Sequence, residues 1–123
     1  MPEVIFNDEQ LQEKLKEWQK RLRLQDWIIE ARICRIHELM PDSLANIHPT
    51  LEKKAALIKI MDPIDYDPTF MLPYDMENSL VHELLHLHLW PITGDDEERK
   101  HHIAEEQAIE CITSGLLSAL RFK

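Results

Sequence analysis

Apolar residues recur near the start of the chain at helical spacing. Leu11, Leu15, Trp18 and Leu22 follow one another at intervals of four, three and four, with Glu13, Lys14, Lys16, Glu17, Lys20 and Arg21 on the opposite side. A stripe of this kind with a charged reverse face predicts an amphipathic helix over about residues 8–23. Asn7 stands ahead of it as an N-cap, and Gln10 three positions on completes a capping box. Trp18 lies on the stripe and is assigned to the core. Residues 1–6, with Pro2 near their start, read as an extended arm. From Trp27 to His37 the composition turns β-rich, through Ile28, Ile29, Ala31, Ile33 and Cys34, which predicts a strand despite the intruding Glu30, Arg32 and Arg35. Met40 to Ser43 reads as a turn, and Leu44 to His48 as a short strand ending at Pro49.

Lys54 to Met61 is a compact apolar run closed by Asp62-Pro63 and is expected to be a strand. Pro63, Pro68 and Pro73 make residues 62–75 a loop. Asp75 then serves as N-cap for a second helix, with Glu77 in its first turn and Pro91 as its expected stop. Thr93-Gly94-Asp95 marks a tight reversal. A last helix is predicted over about residues 96–121, its apolar face formed by Ala108, Ile109, Ile112, Leu116, Ala119 and Leu120. Gly115 within it is read as permitting close helix packing. The expected fold class is α+β: one domain over residues 1–123, with a small, mostly antiparallel sheet and three helices.

Composition narrows the function classes. The chain carries 23 acidic against 14 basic residues, a formal net charge of −9, which argues against nucleic acid as a partner, since that calls for a basic patch. No charged segment followed by an apolar one suggests a signal peptide, and no apolar run approaches the roughly 20 residues needed to span a bilayer. A cytoplasmic location without membrane attachment is therefore expected. Cys34 and Cys111 lack metal-pair or redox spacing and are read as small, reduced core residues.

The chemistry concentrates in Val81-His82-Glu83-Leu84-Leu85-His86-Leu87. On a helix, His82 and His86 lie one turn apart on one face and can both reach a Zn²⁺ about 2.0–2.1 Å away. Glu83 beside them can take a proton from a metal-bound water. The flanking leucines and valine raise the stakes, because histidines in an apolar helix are costly unless bonded or ligated. A catalytic zinc takes three protein ligands and keeps one position open. Position 92 is isoleucine, so the short signatures with a histidine six residues after His86 are absent. The last helix supplies Glu105, Glu106 and Glu110 beside its apolar face. Glu106 is the favoured third ligand and Glu105 its rival, nearer the centre of the stripe; Glu110 or a histidine is the remaining choice. Glu110 lies one turn beyond Glu106, where it can hydrogen-bond a ligand histidine.

The pentad His82–His86, followed some twenty residues later by Glu105-Glu106-Gln107-Ala108-Ile109-Glu110, resembles the gluzincin metallopeptidases, among them the small single-domain minigluzincins and the ImmA/IrrE-type proteases. The resemblance spans about residues 54–120. It implies a zincin-like subdomain, a Zn²⁺ cofactor held by His82, His86 and Glu106, Glu83 as general base, Glu110 as a supporting acid, and a protein or peptide substrate. It further implies an edge strand, assigned to residues 54–61, to which an extended peptide adds. Larger gluzincins carry a second subdomain that steadies the oxyanion; here Tyr66, Tyr74, His101 and His102 are the candidates. His88, six positions from His82, faces another side and is read as a non-ligand, while His37 and His48 are unassigned. The alternative to a peptidase is a non-catalytic zinc-binding regulatory or interaction domain, which a fourth ligand from His101 or His102 would favour.

Overall fold

The computed structural model describes residues 3–94 and 99–122. Its first helix, α1, runs Asp8–Arg21 behind Asn7, and both arms of the capping box form: Gln10 N–H donates to Asn7 Oδ1 and Asn7 N–H to Gln10 Oε1. Leu11, Leu15 and Trp18 are buried, as the stripe predicts. Ahead of it the arm is anchored. Val4 N–H donates to the Tyr74 carbonyl and Met76 N–H to the Val4 carbonyl, which fixes the arm to the start of the second helix.

Three strands follow: β1 at Ile28–Cys34, β2 at Ala45–Thr50 and β3 at Ala55–Met61, in the spatial order β1-β3-β2. β1 pairs with β3 in parallel, Ala31 opposite Ile58, and β2 pairs with β3 antiparallel, Ile47 opposite Ile58. The sheet is thus mixed and not mostly antiparallel. Residues 35–44, with a 3₁₀ turn at Ile36–Glu38, carry the chain past the position next to β1 and leave it free for β3. A second expectation falls with it. β3 is the central strand, both of its edges are occupied, and it cannot receive a peptide. The exposed edge beside the helices belongs to β2, which continues through Pro49. Met61 N–H donates to the Leu44 carbonyl, so the antiparallel alternation turns the backbone groups of Ala45, Ile47 and residue 49 outward. Proline, with no N–H to offer a ladder, is tolerated at such a position.

The second helix, α2, spans Met76–Thr93, with Asp75 accepting from Asn78 N–H as its N-cap. Met76, Leu80, Val81, Leu84, Leu85 and Leu87 are buried, so this helix is enclosed on most sides for its first three turns. It does not stop at Pro91. Proline there removes only the donor to the Leu87 carbonyl, while Thr93 Oγ1 donates to the Leu89 carbonyl and Gly94 N–H to that of Trp90. A Cβ on Gly94 would stand 2.8 Å from the Trp90 carbonyl oxygen and 3.1 Å from its ring, so the close approach of the Trp90 ring requires glycine.

The expected reversal at Thr93-Gly94-Asp95 and the expected helix start at 96 fall partly on residues 95–98, outside the described residues. The third helix, α3, is His102–Arg121. Arg99, in the left-handed region at φ 53, is not helical, so the helix begins later than the sequence suggests. Its buried positions are Ile109, Thr113 and Leu117, with Leu116 and Leu120 partly buried; Ala108, Ile112 and Ala119 are exposed. Cys111 is also exposed, so of the two cysteines only Cys34 is a core residue. Gly115 has no neighbour near its missing Cβ, and close packing is not its role. A single apolar cluster joins α1, the helix-facing side of the sheet, α2 and α3. No helix among the described residues is long and apolar enough to cross a membrane.

Candidate metal centre

Antiparallel packing of α2 and α3 sets histidines against carboxylates in register. His82 and His86 sit one turn apart with ring centroids 5.2 Å from each other. Glu106 lies between them: its Oε2 is 2.9 Å from His82 Nε2 and its Oε1 is 3.1 Å from His86 Nε2. The far nitrogens have separate partners. His82 Nδ1 is 2.5 Å from Glu110 Oε1, and His86 Nδ1 is 3.0 Å from Glu105 Oε1, which Thr93 Oγ1 also approaches at 3.4 Å. Four residues forward on α2 correspond to five backward on α3, which is why two neighbouring glutamates serve one histidine in different ways.

Ligand atoms from His82, His86 and Glu106 all lie within 4.8 Å of one another. Three atoms each about 2.0–2.1 Å from a tetrahedral centre would stand about 3.3 Å apart, so the spacing suits one small cation. The protonation logic fits as well. A Nδ1–H donated to a carboxylate leaves Nε2 with the lone pair that a metal takes, and the carboxylate raises its basicity. Among the described residues no further His, Cys, Asp or Glu joins the group.

Glu83 occupies the same helix and is only 7% exposed. Burial pushes its carboxyl up to about 7, with Glu106 and Glu110 adding to the rise and His82 opposing it. Burial pushes His82 down, but its bond to Glu110 and the charges of Glu83 and Glu106 outweigh that and hold it above the ordinary imidazole range. Glu110 is correspondingly lowered by its bond to His82. This cluster forms the floor of a cleft of about 690 Å³. One wall is Leu44 to Ile47 at the free edge of β2; another is Trp90, Thr93 and Gly94 with Arg99 and His102.

The structure therefore brings His82, Glu83, His86, Glu106 and Glu110 together, as the sequence anticipates, and sets Glu105 on the far nitrogen of His86, outside the His82–His86–Glu106 group. Its place at His86 was partly recoverable: once Glu110 is set against His82, antiparallel register carries the Glu105-Glu106 pair, four to five residues earlier on α3, to His86. Both tyrosine candidates are committed elsewhere. Tyr74 is buried and its hydroxyl donates to the Met61 carbonyl, while Tyr66 donates to that of Leu72 and stacks on Tyr74. His88, His37 and His48 are exposed and lie outside the cleft lining. Trp90, Arg99 and the β2 wall carry no motif that would have announced them. Comparison with protein-family models, with curated proteins and with solved structures yields no match to this chain.

Proposed function

We propose that the chain is a zinc-dependent peptidase of the gluzincin kind, with His82, His86 and Glu106 as ligands and Glu83 as general base. One observation carries this reading: two imidazole Nε2 atoms and a Glu106 oxygen converge on a common point in a cleft that Glu83 also lines. Zinc bound there would supply Lewis acidity and a water acidified toward a pKa of about 7. Glu83 takes the proton of the attacking water and returns it to the departing amine. Its carboxyl, buried on the same helix and lining the same cleft, is placed for both. Glu105 and Glu110 fix the two imidazoles so that their Nε2 atoms stay aimed at one point. Among the described residues three ligands meet, the number that a catalytic zinc takes, which supports a catalytic site.

The substrate is a protein or peptide in extended form. Outward-facing backbone groups at Ala45 and Ile47 would pair with it, and the floor of the cleft then lies beneath its backbone. An exposed free Cys111 and a buried free Cys34 suit a reducing compartment, and we propose a cytoplasmic location on that ground. Metal analysis and peptide-library cleavage with wild type and Glu83→Gln test the reading. Zinc near one per chain is expected in both, with turnover falling about 10²–10⁴-fold in the variant. Zinc in both with cleavage in neither would favour a regulatory zinc-binding domain. Failure of wild type to take up zinc on reconstitution would remove the metal centre.

A further inference from the structure

Arg99 and His102 line the cleft without contributing to the His82–His86–Glu106 group. His102 opens α3 four residues before Glu106, so it stands one turn, about 5–6 Å, along the same helix face. Its backbone N–H donates to the Arg99 carbonyl at 3.2 Å, closing a turn that returns the Arg99 side chain to the helix start. There Arg99 Nη2 lies 2.5 Å from His102 Nδ1. A guanidinium has donors and no acceptor. Nδ1 must therefore provide the lone pair, and the ring proton of the neutral imidazole resides on Nε2. The result is an N–H donor with a fixed cation behind it, which strengthens it as a hydrogen-bond donor.

Addition of water to a peptide carbonyl forms a C–O bond and sends the carbonyl π pair onto its oxygen, while the water proton passes to Glu83. A donor aimed at that oxygen lowers the barrier. Neither Tyr66 nor Tyr74 lines the cleft, and each hydroxyl donates to a backbone carbonyl. We propose that His102, oriented by Arg99, donates its Nε2–H to the substrate carbonyl oxygen as negative charge builds on it. His102 transfers no proton; the C–N bond then breaks and the amine leaves with the proton held by Glu83. This inference rests on the peptidase reading.

The test compares zinc-loaded wild type, His102→Ala, His102→Gln and Arg99→Ala, with an alanine-based phosphinate peptide as a tetrahedral, anionic probe. Zinc content is expected to be equal in all four. In His102→Ala, turnover falls about 10²-fold or more with KM little changed, and phosphinate affinity falls by a similar factor. His102→Gln, which retains an N–H donor, recovers part of both. Nitrogen-15 spectra of the imidazoles report a proton on His102 Nε2 in wild type and a mixture of tautomers in Arg99→Ala. Equal phosphinate affinity in wild type and His102→Ala would overturn the assignment, as would loss of zinc on substitution, which would make His102 a ligand. If zinc-loaded wild type cleaves no peptide, the peptidase reading fails by itself, and the phosphinate comparison and tautomer still decide whether His102 is the anion donor.

Discussion

Glu105, Glu106 and Glu110 are chemically equivalent carboxylates close together on α3, and position alone gives them different work. Glu106 meets both Nε2 atoms, whereas Glu105 and Glu110 each meet one Nδ1. Removing an outer partner leaves the ligand set intact but frees a ring to rotate and change tautomer, which typically costs 10–100-fold in metal affinity. Glu105→Ala and Glu110→Ala are therefore expected to weaken zinc binding by about that factor. Glu106→Gln should weaken it by well over about 100-fold, because a coordinating atom itself is lost. Competition against a chelator of known affinity ranks the three. If Glu105→Ala proved the most damaging, the third ligand would be Glu105, and the geometry of α3 at the site would need to rotate by one residue.

At the level of elements, Pro91 separates what a local rule anticipates from what packing permits. An exposed proline near the end of α2 removes one backbone hydrogen bond, to Leu87, and crowds that carbonyl. Pro91→Ala restores the donor and the helix propensity, a gain of up to about 3 kcal/mol in a helix interior and less in a last turn. Against this stands the greater freedom of alanine in the unfolded chain, about 0.4–1 kcal/mol. Urea unfolding of the metal-free protein should thus show a stabilisation of about 1 kcal/mol; destabilisation would mean that α2 ends before residue 91. Elements with a strong period were legible in the sequence: α1 with its capping box, the apolar run of β3, and the pentad on a buried helix. Strand pairing was not, because the residues of β1 and β2 record which face is buried and not which neighbour they have. The burial of α3 was only half legible. Apolar residues lie around much of its circumference, and packing into the core buries Ile109, Thr113 and Leu117 and leaves Ile112 exposed. At the site, spacing along one helix anticipated that His82, Glu83 and His86 stand together, and gave no sign of the wall that comes from β2 and from the turn at Arg99.

Across the whole molecule, the three helices are tied at the end of α2 remote from Pro91. Arg121, at the C-terminus of α3, donates to Asp75 through Nη1 at 2.6 Å and Nη2 at 3.1 Å, and to Glu77 through Nη2 at 2.9 Å. Trp18 Nε1 from α1 donates to the other Glu77 oxygen at 2.8 Å, and Lys14 lies 3.3 Å from it. Asp75 is the N-cap of the helix that carries His82 and His86, so the clamp fixes the start of α2 against the end of α3 and thereby the register of the two histidines against Glu106. Without Arg121, Glu77 keeps Trp18 and Lys14 and Asp75 keeps the Asn78 N–H, so the cost falls below that of a buried charge left wholly unpaired. Arg121→Gln should lose about 1–3 kcal/mol at pH 7. The pH dependence carries the distinguishing sign. Burial pushes the Glu77 carboxyl up, but the bonds from Trp18 and Arg121 and the charge of Lys14 outweigh it, leaving Glu77 below the usual glutamate value of 4.5. A lowered carboxyl contributes stability that is present above the unfolded value and fades as pH falls through the folded one. Wild type is therefore expected to lose stability from about pH 4.5 downward through this group. In Arg121→Gln the bond from Trp18 and the charge of Lys14 remain but the Arg121 share of that compensation is gone, so the Glu77 carboxyl is held down less and less stability is lost as it protonates. The gap between the two proteins, measured by urea unfolding of metal-free samples, should narrow steadily from pH 7 to pH 3. A constant gap over that range would show that Arg121 acts through packing of its stem and not through the Asp75 and Glu77 charges.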